Sequence, residues 1–152
     1  MNDVDIEIRQ ALPSDSATIH ALLRPYVSRR LLLQRSEAEL IELTRHGFIA
    51  EVNNAGENAS LCVGFAAVEV YSPKLAELQS LAVHHDYRRS GVGRRLVEAC
   101  LQRARDLQVM EVLAISSSED FLRSCGFDFS LPDQKKALFC QLRPRTWDEE
   151  GQ

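Results

Sequence analysis

The segment from Leu75 to Leu107 constrains the fold more than any other part of the chain. It begins with the strand pattern LAELQSLAV, passes through HHDYRRSGVG, and continues as RRLVEACLQRARDL. The last part repeats apolar residues at helical spacing, at Leu96, Val97, Cys100, Leu101, Ala104 and Leu107. The segment therefore predicts a strand, a glycine-containing turn and a long amphipathic helix from about Gly91.

The turn has the composition of an anion-binding site. Four arginines and two glycines fall between Arg88 and Arg95, in RRSGVGRR. A helix start leaves backbone N–H groups unpaired at the positive end of the helix dipole, and glycine lets an anion approach them. The spacing is R-x-x-G-x-G, which is neither the nucleotide-triphosphatase loop nor the dinucleotide fingerprint. It predicts a diphosphate-sized cradle made mostly of main chain.

The rest of the chain indicates one α/β domain over residues 1–152, with a loose tail from about residue 144. The predicted order is βαα-βββ-α-β-α-β. Pro25 disfavours helix at Arg24, a capping box from Ser36 to Glu39 opens the second helix, and Gly47 ends it. The segment 109–116 reads as a strand buried on both faces, and 136–144 reads as a last strand.

Composition excludes several classes of function. The formal net charge is -4, which argues against broad nucleic-acid or membrane-surface binding. No apolar run reaches the roughly 18 residues of a membrane helix, and the acidic, alternating N-terminus is not a signal peptide. The four cysteines, Cys62, Cys100, Cys125 and Cys140, are widely spaced. We therefore expect a cytoplasmic protein with reduced, buried thiols and no metal.

The R-x-x-G-x-G loop, between the strand SLAV and a long helix and ahead of a short helix ending in CGF, resembles the acetyl-CoA loop of the GNAT superfamily of N-acetyltransferases. The segments IEIRQALPSDSATIHALLRPY, LLLQRSEAEL and AELQSLAVHHDYRRSGVG look like the acetyltransferase domain of N-acetylglutamate synthase. The resemblance implies a GNAT fold with a mixed, mostly antiparallel sheet of six to seven strands and about four helices. No amino-acid kinase domain precedes it here, so we expect a stand-alone version or a relative with another substrate.

This resemblance implies that CoA binds with its diphosphate on the loop. The backbone N–H groups assigned to it are those of Arg88, Arg89, Ser90, Gly91, Val92, Gly93 and Arg94. The side chains of Arg88, Arg89, Arg94 or Arg95 could also reach phosphates. The main chain of Leu81, Ala82 and Val83, on a strand that splays from the next one, would pair with the pantetheine and polarise the acetyl carbonyl.

Acetyl transfer requires a neutral amine, so a base must remove its proton. Glu77 is the first candidate, since several members of the superfamily carry a catalytic glutamate there, and Glu69 on the adjacent strand is the second. The two-residue period of a strand predicts Glu77, Gln79 and Leu81 on one face. His84 and His85, at the mouth of the loop, are expected to face solvent or the 3′-phosphate of CoA.

The tyrosine that often protonates the departing thiolate in this superfamily has no counterpart here, because Leu122 stands at its position. Ser116, Ser117 or Ser118 could hold a water or the sulfur instead. N-acetylglutamate synthases also lack that tyrosine as a rule, so its absence fits the closer resemblance.

The acceptor side matches the synthase only in part. Leu33 and Arg35 stand where the synthase binds glutamate, with the arginine pairing a carboxylate. Glu69 stands where the synthase usually has a lysine, and Lys135 and Ala137 stand for its arginine and serine. The reversed charge at Glu69 leaves glutamate and a basic or neutral amine both open as acceptors.

We therefore expect an acetyl-CoA-dependent N-acetyltransferase that acts by direct attack in a ternary complex on a small amine, such as an amino acid. The alternatives are a peptide or protein N-acetyltransferase, which needs an open acidic groove, and a non-catalytic CoA-binding sensor or partner module. The expected partners are a small-molecule amine but neither nucleic acid nor membrane, and the superfamily often forms homodimers.

Overall fold

The computed structural model describes residues 5–53, 60–116, 118–131 and 137–144. Within these ranges five strands form one sheet in the order β1-β2-β3-β4-β5. Neighbouring strands are antiparallel except β4 and β5, which are parallel. The strands are β1 (Ile6–Gln10), β2 (Gly47–Asn53), β3 (Ser60–Ser72), β4 (Leu75–Val83) and β5 (Glu111–Leu113).

Helices pack on both faces of the sheet. Among the described residues these are α1 (Ser16–Ser28), α2 (Glu37–Thr44), α3 (Val92–Asp106) and α4 (Glu119–Ser124). Leu23 of α1 and Leu40 of α2 pack with Phe65 on one face. Leu96 of α3 and Leu122 of α4 belong to the cluster on the other face. The predicted class, a mixed and mostly antiparallel sheet with about four helices, is confirmed.

The long helix α3 approaches the sheet closely at Gly64. A Cβ at Gly64 would lie 2.8 Å from Leu96 Cδ1 and 3.0 Å from Val92 Cγ1. Leu96 and Val92 are both buried. The missing side chain therefore lets the first turn of α3 lie directly on β3, next to the end of β4.

Two predictions about helix ends are wrong, although the capping box is confirmed. Ser36 Oγ accepts from Glu39 N at 3.2 Å, and Glu39 Oε2 accepts from Ser36 N at 2.9 Å. Pro25 lies inside α1 rather than ending it, and the packing of that last turn against the core outweighs the lost N–H bond. Gly47 is the first residue of β2, since α2 has already ended at Thr44.

The C-terminal third of the sheet also differs from its prediction. β5 has only three residues, and Glu111 and Leu113 are exposed, so this strand is not buried on both faces. The predicted last strand does not form in residues 137–144, where Leu138 and Leu142 are exposed. The described residues therefore contain five strands rather than six or seven.

A β-bulge in β4 corrects the predicted face of Leu81. Phe65 pairs with Ala82 but Ala67 pairs with Gln79, so one residue of β3 lies opposite two residues of β4. Ser80 has a φ of 56°, in the left-handed region. Such a bulge reverses the alternation of the strand. Gln79 faces the α1 and α2 side, whereas Leu81 packs on the α3 side.

Candidate active site

The loop between β4 and α3 presents backbone N–H groups at the start of a fifteen-residue helix. Gly91 is the residue before α3 and has a φ of 85°, and Arg89 has a φ of 66°. The first intrahelical bond runs from Arg95 N to Gly91 O at 3.1 Å. The N–H groups of Val92, Gly93 and Arg94 precede it and have no carbonyl one turn back within the helix.

The loop is anchored on one side and open on the other. Val92 is buried, and a Cβ on Gly93 would lie 3.2 Å from Phe121 Cζ of α4. A Cβ on Gly91, in contrast, would meet no atom of the described residues within 4 Å. The space beside Gly91 is thus open to an anion that binds to main-chain N–H groups, and the assignment of the CoA diphosphate to this loop stays a prediction.

Three of the four arginines in this region contact other parts of the protein. Arg88 donates to Tyr26 Oη at 3.0 Å, Arg94 to the Ser124 carbonyl at 3.0 Å, and Arg95 to the Ile6 carbonyl at 2.8 Å. Arg89 has no hydrogen bond or ion pair with another described residue. These contacts connect the loop to β1, α1 and α4, and they already engage three of the four guanidinium groups. A role of the arginine side chains in phosphate binding stays a prediction.

Tyr26, which the sequence analysis did not single out, ties the end of β4 to α1. Its hydroxyl donates to the Val83 carbonyl and accepts from Arg88. The Arg88 guanidinium also lies 5.5 Å from the centre of the Tyr26 ring. One acceptor position of the Val83 carbonyl is therefore already used. The sequence signal was hidden, because Tyr26 follows the proline that predicted the end of the helix.

The edge of β4 that faces β5 is paired over only part of its length. Leu75, Ala76 and Glu77 pair with Glu111, Val112 and Leu113. No described strand pairs with residues 78–83 on that side, which include the predicted cofactor-binding positions Leu81, Ala82 and Val83. An unpaired strand edge offers N–H and C=O groups to a ligand that carries amides, such as the pantetheine arm.

Four side chains of β3 and β4 form a polar network with Arg35, on the side of α1 and α2. Arg35 Nη2 donates to Gln79 Oε1 at 2.7 Å, and Gln79 Nε2 donates to Glu69 Oε2 and to Tyr71 Oη, both at 3.1 Å. Tyr71 in turn donates to Glu77 Oε1 at 2.6 Å. The structure thus brings together Arg35, Glu69 and Glu77, which the sequence analysis selected separately.

Tyr71 and Gln79 complete this network and were missed as site residues. Partial burial, followed by the hydrogen bond to Glu77, raises the pKa of Tyr71 well above its usual range. Tyr71 is therefore a protonated donor at neutral pH, and Glu77 Oε2 has no partner among the described residues. The strand period could have indicated both side chains, since Tyr71 lies two residues from Glu69 and Gln79 two from Glu77.

A cavity of about 480 Å³ lies beside this network. Its lining includes Arg35, Leu43, His46, Val68 and Glu69. Arg35 Nε is buried and has no hydrogen-bond partner in the described structure. Leu33, the other predicted acceptor residue, is exposed and does not line this cavity.

The other described residues that the sequence analysis named are not part of the polar network. Leu122 is a core residue, and Ser116 Oγ accepts from Ser118 N at 3.0 Å. Ala137 is exposed, and Ser117 and Lys135 lie outside the described residues. His84 and His85 stack with ring centres 4.4 Å apart.

The thiols are not arranged for catalysis. All four cysteines are free. Burial raises the pKa of Cys100 to about 12 and that of Cys62 to about 11, so both are neutral at physiological pH. Cys62 and Cys125 are partly buried and Cys140 is exposed, so the expectation of buried thiols is correct only for Cys100.

Comparison with known proteins places the chain in a family. Residues 16–127 match the model of the acetyltransferase (GNAT) family. An uncharacterized N-acetyltransferase of Chlorobaculum tepidum is 30% identical over 127 residues, covering 84% of this chain and 78% of that protein. The chain belongs to the GNAT family, and it is an acetyl-CoA-dependent N-acetyltransferase.

Two further similarities concern amino-acid acetylation. The amino-acid acetyltransferase of Pasteurella multocida is 29% identical over 136 residues, which cover 85% of this chain but only 29% of that protein. The N-acetylglutamate synthase of Neisseria gonorrhoeae, solved with coenzyme A and N-acetyl-glutamate, has a TM-score of 0.68 and 27% identity, covering 81% of this chain and 28% of that one. The chain thus spans less than a third of these two proteins.

None of the helices in the described ranges is long and apolar enough to cross a membrane.

Proposed function

We propose that the protein acetylates the amine of a small molecule, an amino acid, with acetyl-CoA as donor and with direct attack in a ternary complex. The observation that carries this proposal is that one strand joins both halves of the site. β4 bears Glu77 and Gln79 on the side of the polar network, and its open edge at Leu81–Val83 leads into the anion-binding loop.

The loop would hold the diphosphate through main-chain N–H groups. Acetyl-CoA supplies the acyl group as a thioester, and the overall reaction converts R–NH₃⁺ and acetyl-CoA into R–NH–CO–CH₃, CoA–SH and H⁺. The N–H groups near Leu81 to Val83 would polarise the acetyl carbonyl, an interaction worth a few kcal/mol in comparable sites.

Glu77 would act as the general base. Tyr71 binds Glu77 Oε1, which fixes the carboxylate and leaves Oε2 to accept a proton from the acceptor ammonium. The neutral nitrogen then forms a C–N bond as the C–S bond breaks. The second nitrogen proton passes to the departing thiolate to give CoA–SH, and Glu77 releases the first proton to solvent. Arg35 would bind the acceptor carboxylate, since its Nε lacks a partner among the described residues.

The size of the cavity supports a small acceptor. About 480 Å³ is within the usual range for small-molecule sites. A peptide acceptor needs a groove that continues across the surface. The homologous amino-acid acetyltransferases support the same class of acceptor.

The test measures release of CoA thiol from acetyl-CoA with glutamate, aspartate, glutamine and arginine, then with polyamines and peptides. We expect turnover with at least one amino acid. Glu77→Gln should lower kcat by about 10²- to 10⁴-fold without changing CoA affinity, and the defect should be largest at low pH, where more amine is protonated. Glu111→Gln, an exposed carboxylate on β5, is the matched control and should behave as wild type.

Two results would contradict this proposal. Tight CoA binding with no turnover on any amine would identify a non-catalytic CoA-binding module. A Glu77→Gln variant with wild-type rates at every pH would show that Glu77 is structural.

A further inference from the structure

The charged residues that line the cavity beside the polar network bear on which amino acid can bind there as the acceptor. This inference rests on the function proposed above and concerns the side chain of the acceptor, which that proposal leaves open. It depends on two features of the cavity among the described residues: a buried Arg35 Nε–H without an acceptor and a Glu69 carboxylate without a cationic partner.

The first feature is the Arg35 guanidinium. Its Nη2 is directed to the neutral Gln79 amide at 2.7 Å, and its buried Nε has no acceptor among the described residues. An unpaired buried donor on a charged group is costly. The group that best satisfies it is a carboxylate, which every amino acid carries on its α-carbon.

The second feature is the pair of carboxylates on β3 and β4. Glu69 lies directly opposite Glu77 in the strand register. Like charges in this position destabilise a sheet. Both carboxylates accept hydrogen bonds only from neutral groups of the described structure, namely the Tyr71 hydroxyl and the Gln79 amide. A bound cation would offset this repulsion.

Gln79 keeps the two charges of the cavity apart. Its carbonyl oxygen binds Arg35 while its amide nitrogen binds Glu69 and Tyr71. Arg35 therefore does not neutralise Glu69, although both line the same cavity. Three other charged residues line the cavity, and each has a partner: Glu39 accepts from Ser36 N in the helix cap, and Glu42 pairs with Arg45 at 3.3 Å. Arg35 and Glu69 are therefore the charged lining groups that belong neither to an ion pair nor to a helix cap among the described residues, and the Gln79 amide separates them.

Glu69 is the carboxylate that is available to a side chain. Tyr71 lies 2.6 Å from Glu77 but 3.3 Å from Glu69, so its hydroxyl is committed mainly to Glu77. Glu69 lines the cavity and Glu77 does not. We infer that the acceptor is an amino acid with a cationic side chain, whose carboxylate binds Arg35 and whose side-chain cation binds Glu69.

Two isosteric pairs of acceptors isolate the side-chain charge. L-arginine and L-citrulline differ by one positive charge, and L-glutamate and L-glutamine differ by one negative charge. Of these four, none has a second reactive alkyl amine, so CoA-thiol release reports α-acetylation, which mass spectrometry of the product confirms. We expect kcat/KM to be about 10- to 100-fold higher for arginine than for citrulline, and higher for glutamine than for glutamate by a similar factor.

Variants at Glu69 test the assignment. Glu69→Gln should bring the kcat/KM ratios of arginine to citrulline and of glutamine to glutamate close to one. Glu69→Lys should invert both ratios, so that citrulline is preferred to arginine and glutamate to glutamine. Glu98→Gln is the control, since it removes one exposed carboxylate from α3, on the other face of the sheet. It should leave both ratios as in the wild type, and thermal unfolding of each variant checks that the fold persists.

Several outcomes would overturn the inference. A wild-type enzyme that prefers glutamate to arginine would refute it while leaving the proposed function intact. A Glu69→Gln variant that loses activity equally with all four acceptors would show that Glu69 acts on the shared ammonium group instead. Absence of turnover with every amine would contradict the proposed function itself.

Discussion

Replacing Gly91 by alanine separates the conformational role of this glycine from its proposed role in CoA binding. Gly91 has a φ of 85°, and a Cβ there would meet no atom within 4 Å in the part of the chain that the structure describes. The left-handed conformation costs an L-residue about 1–2 kcal/mol. We therefore expect Gly91→Ala to lose about 1–2 kcal/mol of stability, which lowers Tm by about 2–4 °C per kcal/mol in a chain of this size.

The same chain offers a matched control. Gly126, after α4, has a φ of 97°, and a Cβ added there would also lie more than 4 Å from every described residue except its chain neighbours. Gly126→Ala should therefore lose a similar amount of stability. Only Gly91→Ala places its methyl group in the space assigned to the diphosphate, so only this variant should bind CoA less tightly, by about tenfold or more.

Thermal unfolding and calorimetric titration with CoA measure the two effects separately. Gly91→Glu adds a negative charge and bulk, and it should abolish CoA binding altogether. If Gly91→Ala binds CoA as tightly as Gly126→Ala does, the methyl group does not enter the diphosphate site. The assignment of the loop would then be wrong, whatever the change in stability.

Two further predictions concern Arg35 and Arg9. Gln79→Leu removes the acceptor of the 2.7 Å hydrogen bond from Arg35. The KM for the amino acid should therefore rise about 10- to 100-fold while CoA affinity is unchanged. An unchanged KM would show that Gln79 does not orient Arg35. Arg9 binds both carboxylate oxygens of Asp15 at 2.9 Å, and this hydrogen-bonded pairing lowers the pKa of Asp15. The Arg9–Asp15 pair therefore stabilises the folded state at pH values above the pKa of an unfolded aspartate, near 4. This stabilisation is lost as the pH falls through the lower pKa that Asp15 has in the folded protein. Asp15→Asn should be less stable than wild type at pH 7, and urea unfolding should show the difference shrinking below about pH 4.

Local sequence signals predicted the elements that local physics determines. The capping box at Ser36 formed because its hydrogen bonds span only three residues. The amphipathic pattern after Gly91 predicted α3 almost to the residue, since one apolar face must be buried. Arg35 and Glu69 were each predicted as site residues from their own positions in the sequence. They lie 34 positions apart in the sequence, and they line the same cavity in the structure.

Features that depend on tertiary contacts were not predictable in this way. Pro25 stays helical because the turn after it packs in the core, which outweighs a local preference. The bulge at Ser80 has no marker in the sequence, since serine rarely adopts a positive φ. The strand period therefore placed Leu81 on the wrong face, and the roles of Tyr71 and Gln79 became visible only with the register of β3 and β4.

The bulge at Ser80 has a consequence for how this scaffold can change. Residues before it, such as Glu77 and Gln79, point to one layer of helices, and Leu81 and Val83 after it point to the other. A substitution at Gln79 can therefore alter binding of the amine without touching the half of the site proposed for CoA. Deleting Ser80 would restore a regular ladder, in which Gln79 and Leu81 become neighbours and still point to opposite faces. The division of β4 between the two layers of helices would therefore survive the loss of this one residue.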